Sequence, residues 1–382
     1  MHVLSISLDE SIALSESDAH QRQRRYAKYF DRYTVVAKTD SEHDKQIRDG
    51  ALRVIPTNST TRYHFLIDAY RLGRTAAEEW APDCVTTQDP FSTGVVGLAL
   101  ARQFDASLRV QVHADFISNP KWRWQSAKNP FAEALGRIVL KHADAVRVGT
   151  KHERRKVSSV VQDSTRVSVA PVRMDFDGVV GGSERSVTEL RSAFGFGERP
   201  VIFFAGRFTD QKNLHKWLEV AAIVHEAANR TPLFVMVGDG PQSENVRQQV
   251  TEFGIEDSFR FPGWVETERL AEYYDLADVF LITSDYEGTS RVVVEAGMNE
   301  TPVVATPFAG AMDNIVDGET GFVAEDVETL ARRVCELLED ATVRQQMGTR
   351  AREHLMERFD AERLVEEYVE FLQDGLCGER RY

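Results

Sequence analysis

Short runs of β-branched and aromatic residues alternate with amphipathic stretches along almost the whole chain, and this rhythm narrows the folds open to it. Runs at 3–7, 34–37, 52–55, 84–87, 108–112, 145–149 and 167–170 occupy the first half, and runs at 201–205, 233–237, 259–261, 279–283, 302–305 and 321–323 the second. Runs such as 201–205, 233–237 and 279–282 are continuously apolar, which suits strands buried on both faces of a parallel sheet. Parallel neighbours need a crossover of a dozen or more residues. Helical periodicity at 132–142 and 270–276 supplies crossovers of that kind. The fold class expected is therefore α/β, with parallel sheets covered by helices on both faces.

Gly178, Gly181 and Gly182 lie in a polar stretch between Asp177 and Glu184 and read as a linker. Each side holds a complete doubly wound set, giving one domain over 1–180 and a second over 186–360. A last helix, 361–376, follows the second sheet and can rejoin the first domain. The chain's 382 residues suffice for two cores.

Ligands of such sheets bind beyond the carboxyl ends of the strands, so the chemistry should follow the runs. After 279–283 comes Asp285-Tyr286-Glu287-Gly288-Thr289-Ser290-Arg291-Val292-Val293-Val294-Glu295. Gly288 gives a turn, Thr289 or Ser290 can cap a helix, and Glu295 falls about a turn and a half inside it. Unpaired N–H groups at Thr289, Ser290, Arg291 and Val292 would form an anion site with a carboxylate on either side. A nucleotide sugar has that pattern, a diphosphate between two hydroxylated rings. Glu295 can instead be a surface carboxylate, but its helix is largely apolar and a carboxylate there needs a partner.

Gly206-Arg207 and Lys212 follow the run 201–205, two cations that can converge on one phosphate or simply face solvent. Gly238-Asp239-Gly240-Pro241 follows 233–237 and lets backbone approach a ligand. No Gly-x-Gly-x-x-Gly follows 3–7, which argues against a nicotinamide dehydrogenase.

The order of these signals, with Phe261-Pro262-Gly263-Trp264-Val265 between them and Asp317-Gly318-Glu319-Thr320-Gly321 after them, resembles the donor domain of retaining GT-B glycosyltransferases of family 4. The resemblance spans 201–323 and extends more loosely to Gln88-Asp89-Pro90, Val112-His113-Ala114-Asp115 and 141–146. It implies two facing Rossmann-like domains. It also implies that Arg207 and Lys212 hold the donor diphosphate, with Gly206 and Gly238 near it. Glu295 would take the ribose hydroxyls, Glu287 the transferred sugar, and Gly288, Thr289, Ser290, Arg291 and Val292 the distal phosphate. Val265 would lie by the base, and His113 would face the sugar across the cleft.

The implied reaction is retaining transfer to an acceptor hydroxyl, on a glycan or lipid-linked precursor, with no metal and no cofactor beyond the nucleotide-sugar substrate. A nucleotide-sugar epimerase and a catalytically silent nucleotide-sugar binder are the alternatives. Two departures stand out. Ser7-Leu8-Asp9-Glu10-Ser11 replaces the glycine-rich loop of many relatives, and Thr289-Ser290-Arg291 replaces their Phe-Gly. Arg291 can read a donor carboxylate or sulfonate, or face solvent. His113 can equally be a core histidine.

A net charge of −14 argues against nucleic-acid binding. Against it, residues 121–156 hold ten Lys and Arg and three acids, a local +7 that leaves −21 elsewhere. Lys121, Trp122, Arg123, Trp124 and Lys128 head this stretch, and such a patch can lie on anionic lipid, or be a helix with scattered charges. Cys84, Cys335 and Cys377 share no metal or disulfide spacing. With no signal-like start and no long apolar run, the expected location is cytoplasmic, peripheral at the inner membrane face if the patch binds lipid.

Overall fold

The computed structural model describes residues 1–40, 46–174, 176, 180–181, 184–195 and 197–375. Most of the predicted linker, at 177–179 and 182–183, lies outside them, as does Cys377. The chain forms two compact units, Met1–Asp175 with Asp360–Tyr382, and Phe176–Phe359.

The first unit is an eight-stranded sheet of β1 (His2–Ser7), β2 (Arg32–Ala37), β3 (Ile47–Asp49), β4 (Leu52–Pro56), β5 (Cys84–Thr87), β6 (Ser107–Val112), β7 (Ala145–Val148) and β8 (Arg166–Val169). The crossovers carry α1 (Asp18–Ala27), α2 (Arg62–Glu79), α3 (Ser92–Phe104), α4 (Pro120–Gln125), α5 (Asn129–Lys141) and α6 (Lys151–Ser158). Strand order is β3-β4-β2-β1-β5-β6-β7-β8. All pairs are parallel except β3 with β4. That antiparallel edge departs from the all-parallel expectation. Its cause is local: Gly50 at φ 59° closes a tight turn between Asp49 and Leu52.

One face of this sheet (Leu4, Ile6, Val36, Val85, Val110, Val146) packs on Phe65, Leu100 and Val139 from α2, α3 and α5. The other face (Val3, Tyr33, Val35, Cys84) packs on Tyr26 of α1 and on Tyr368 and Leu372 of the last helix, Ala361–Gln373. Burying each large apolar side chain contributes about 1.5–3 kcal/mol.

The second unit has β9 (Val201–Ala205), β10 (Leu233–Val237), β11 (Phe259–Gly263), β12 (Val279–Ile282), β13 (Val303–Ala305) and β14 (Gly321–Val323). Its helices are α7 (Glu184–Ala193), α8 (Leu214–Ala227), α9 (Ser243–Glu252), α10 (Thr267–Leu276), α11 (Arg291–Met298), α12 (Ala309–Asn314), α13 (Val327–Glu339) and α14 (Ala341–Arg358), and the helix Ala361–Gln373 is α15. The order is β11-β10-β9-β12-β13-β14, and every pair is parallel. Phe204, Phe234 and Leu281 bury one face under Trp217 of α8 and Leu330 of α13. Phe203, Val235 and Phe280 bury the other under Tyr274 of α10 and Val293 and Ala296 of α11.

Both sheets reverse their direction of winding once, between β1 and β5 and between β9 and β12. The crevice at the carboxyl ends of such a pair is where doubly wound sheets take ligands.

Candidate functional site

At the β9/β12 switch point the backbone turns are laced together before any side chain is considered. Gly206 N donates to Val237 O (3.0 Å), Gly238 N to Gly263 O (2.9 Å) and Phe208 N to Asp239 O (2.9 Å). Gly238 has φ 131° and lies so close to Gly206 that a Cβ would collide with its carbonyl oxygen. Glycine is required there for both reasons. The loop after β9 is tied to the loop after β12: Asp285 N donates to Gln211 O (2.8 Å), Gln211 Nε2 to Tyr286 O (2.7 Å) and Asn213 Nδ2 to Asp285 Oδ1 (3.1 Å).

This lacing brings Lys212 and Glu287 together. Lys212 Nζ lies 2.5 Å from Glu287 Oε1, and Ser284 Oγ donates to the same oxygen at 2.5 Å. Both charged side chains are largely buried. Arg207, on the same loop, is exposed and makes no ion pair among the described residues. The crevice thus presents one anchored cation and one exposed cation.

Helix α11 opens the next wall. Ser290 stands at its N-cap position, but its side chain does not cap the helix as the sequence suggested. The residue is left-handed (φ 56°), uncommon for a non-glycine, and its buried Oγ has no hydrogen-bond partner among the described residues. The first helical N–H groups, at Arg291 and Val292, have no acceptor within the helix. Thr289 O accepts from Asn314 Nδ2 (2.6 Å), and Gly310 packs against the Gly288 carbonyl, so this loop is fixed from behind by α12.

Glu295 is 2% exposed, and its partners come from the protein. Arg291 Nε donates to Oε1 (2.6 Å) and Tyr274 Oη to Oε2 (2.9 Å). Burial, then the Glu295 carboxylate, raises the Tyr274 phenol well above its ordinary pKa. Arg291 therefore anchors Glu295 while remaining half exposed. Tyr274, Ser284 and Gln211 are the residues the sequence reading missed. Tyr274 reaches Glu295 from 21 positions away, a separation that carries no sequence signal. Trp264 is exposed and Val265 half-buried after β11.

In the first unit His113 follows β6 and lines a cavity together with Arg22 and Arg147. Its pKa is lowered to about 3, by burial first and then by Arg147 and Arg22, so the ring is neutral.

The basic stretch 121–156 is not one surface. Arg147 lies inside β7, 2% exposed, and Lys156 pairs with Asp115 at 2.7 Å. Trp122 stacks on Phe91 and packs at a tilt against Phe116. Arg123 and Arg137 both bind the buried Glu133, whose pKa falls to about 2 chiefly through Arg123. What faces outward on α4 and α5 is apolar and basic. Trp124 is 75% and Phe131 79% exposed, with Leu135 and Ile138 on the same helix face and Lys121, Lys128 and Lys141 beside them. Among the described residues no helix is long and apolar enough to cross a membrane.

Two family models match. Glycosyl transferases group 1 covers residues 186–354, and the glycosyl transferase 4-like domain covers 19–173. A lipopolysaccharide core biosynthesis glycosyltransferase of Rhizobium meliloti is 29% identical over 46% of this chain and 50% of its own length. An alpha-D-kanosaminyltransferase of Streptomyces kanamyceticus is 26% identical over 66% of each chain. The matches thus span between half and two thirds of these curated relatives. The solved structure of a sucrose-phosphate synthase from Thermosynechococcus elongatus superposes with a TM-score of 0.82 at 18% identity, over 99% of this chain and 100% of that one, a likeness of fold. The two glycosyltransferase models between them cover most of the chain, which belongs to the group 1 glycosyltransferases.

Proposed function

We propose that this chain is a retaining glycosyltransferase that moves a sugar from a nucleotide-sugar donor to an acceptor hydroxyl. The observation that carries the reading is the pairing of Lys212 with Glu287 beside the open amides of α11 at the β9/β12 switch point. As the bond between the anomeric carbon and the phosphate breaks, negative charge grows on the phosphate oxygens. Lys212, Arg207, the Arg291 and Val292 amides and the Ser290 hydroxyl stabilise that charge more than the ground state.

Glu287 meets the sugar hydroxyls, and the Glu295–Arg291 pair meets the ribose. The acceptor oxygen attacks from the face the phosphate leaves, and its proton passes to the departing phosphate. Retention then needs no enzymatic nucleophile. The two cations do the electrostatic work without a divalent ion, so a chelator should leave turnover unchanged.

Incubation with a panel of nucleotide sugars tests the reading. Release of nucleoside diphosphate with transfer supports it. An altered sugar without transfer points to an epimerase, and binding alone to a silent binder.

A lipid-linked or glycan acceptor is part of the proposal, and the outward face of α4 and α5 favours it. Trp124, Phe131, Leu135 and Ile138 form an apolar strip edged by lysines, while Glu133 is turned inward and neutralised. A cytoplasmic enzyme using that strip would rest on an anionic bilayer. A second copy of the chain fits poorly there, since lysines would meet lysines.

A further inference from the structure

A cavity of about 240 Å³ opens at the other switch point, beside the paired strands β1 and β5 of the first unit. It is lined by the loop after β1, which brings the carboxylate of Asp9, by Gln88 after β5, by the neutral His113 after β6, by α1 and by α15. Its floor is the part of the sheet face under α1 and α15 where polar side chains replace the apolar ones. Gln111 and Arg147 sit in register on β6 and β7, with Ser168 beside them on β8. The volume exceeds what a single water needs and falls below the roughly 300–1,000 Å³ of drug-sized sites.

Arg147 is the unusual feature. It donates to Ala170 O (2.8 Å), Pro171 O (2.5 Å) and Gln111 Oε1 (3.1 Å), and its guanidinium lies over the Tyr368 ring at 4.7 Å. Every one of these partners is neutral. Among the described residues no carboxylate forms an ion pair with it. A buried cation held only by neutral groups is costly unless an anion joins it. The second cation on the cavity wall, Arg22, is 3.7 Å from Asp9, too long for a tight pair.

Two further atoms lack partners. Among the described residues the buried Tyr26 hydroxyl, in a residue 2% exposed, has no hydrogen-bond partner, and neither has Gln23 Oε1. Both residues line the cavity. Their needs differ: the phenol has a proton to donate, and the amide oxygen requires a donor. A bare oxyanion with no proton to give satisfies only the first. A group carrying an oxyanion next to hydroxyls satisfies both.

We propose that this cavity binds a hydroxylated oxyanion, a phosphate or carboxylate beside free hydroxyls, and that this group belongs to the acceptor. The last clause rests on the transferase reading; the binding site itself does not. Arg147 and Arg22 hold the anionic end, and Tyr26 and Gln23 bond the hydroxylated end.

The test is isothermal titration of the full chain with glycerol 3-phosphate, glycerate, glycerol and inorganic phosphate, with nucleoside diphosphate titrated in parallel. The expected result is that glycerol 3-phosphate or glycerate binds at least about tenfold more tightly than glycerol or inorganic phosphate. Tyr26→Phe and Arg22→Gln should each weaken that binding by about three- to tenfold, with nucleoside diphosphate affinity unchanged. These variants keep the test open should Arg147→Gln fail to fold. Equal binding of all four probes, an adventitious ion only, or no effect of either substitution would overturn the site. Hydroxylated-anion binding without turnover of any nucleotide sugar would instead remove the transferase reading and leave the site standing.

Discussion

Lys212 and Glu287 show how one contact can serve both stability and chemistry. Removing the lysine leaves a largely buried carboxylate whose remaining partner among the described residues is Ser284. Lys212→Ala should therefore lower both stability and turnover, the latter by about 10²- to 10³-fold. The double variant Lys212→Ala/Glu287→Gln separates the two: thermal unfolding should recover toward wild type while turnover stays low. Tyr274→Phe deletes one hydrogen bond to the Glu295 carboxylate and should cost about 1.5–3 kcal/mol, read from denaturant melts. His113 sets a pH dependence. Its folded pKa is lowered to about 3, whereas an unfolded histidine titrates near 6.5. Between those values the unfolded chain binds a proton that the folded chain refuses, so stability falls as pH drops below about 6.5 and is unaffected above it. His113→Gln should flatten that part of the profile.

At the scale of elements, the switch point is held by glycines as much as by charges. Gly238→Ala forces a Cβ into the Gly206 carbonyl and a side chain into φ 131°. The turns after β9, β10 and β11 should then separate, with nucleotide binding lost and a lower melting temperature. Four strands, 84–87, 201–205, 233–237 and 321–323, were legible in the sequence end for end, because buried parallel strands are short and rich in apolar and β-branched residues. The edge strand β3 was not, since Ile47-Arg48-Asp49 carries no such pattern. Motifs adjacent in sequence, such as Gly206 to Lys212 and Glu287 to Glu295, were legible as units. What closes them was hidden. The contacts from Ser284 and Tyr274 depend on which elements meet, and of the two cap candidates, Thr289 and Ser290, it is Ser290 that takes the N-cap position, with a left-handed backbone and no side-chain cap. Arg147 was counted with a surface patch, although a charged residue inside the run 145–149 already marked a polar place in the sheet.

Across the whole molecule, charge is distributed unevenly. The chain carries −14, yet the outward face of α4 and α5 shows lysines and exposed aromatics while its one helix acid is turned inward. Flotation with vesicles containing anionic lipid should carry the protein upward at low salt and less so at high salt. Phe131→Asp should abolish the effect without altering turnover of a soluble acceptor. Absence of binding at any salt would remove the membrane reading. The central claim is that sugar transfer occurs in the second unit with Lys212 stabilising the leaving phosphate. The most direct measurement follows nucleoside diphosphate release and product anomeric configuration by NMR, for the wild type and for Lys212→Ala/Glu287→Gln. The account predicts that the wild-type product keeps the donor's anomeric configuration, and that the equally folded variant turns over at least about 10²-fold more slowly. An inverted product, or a variant as fast as the wild type, would contradict it.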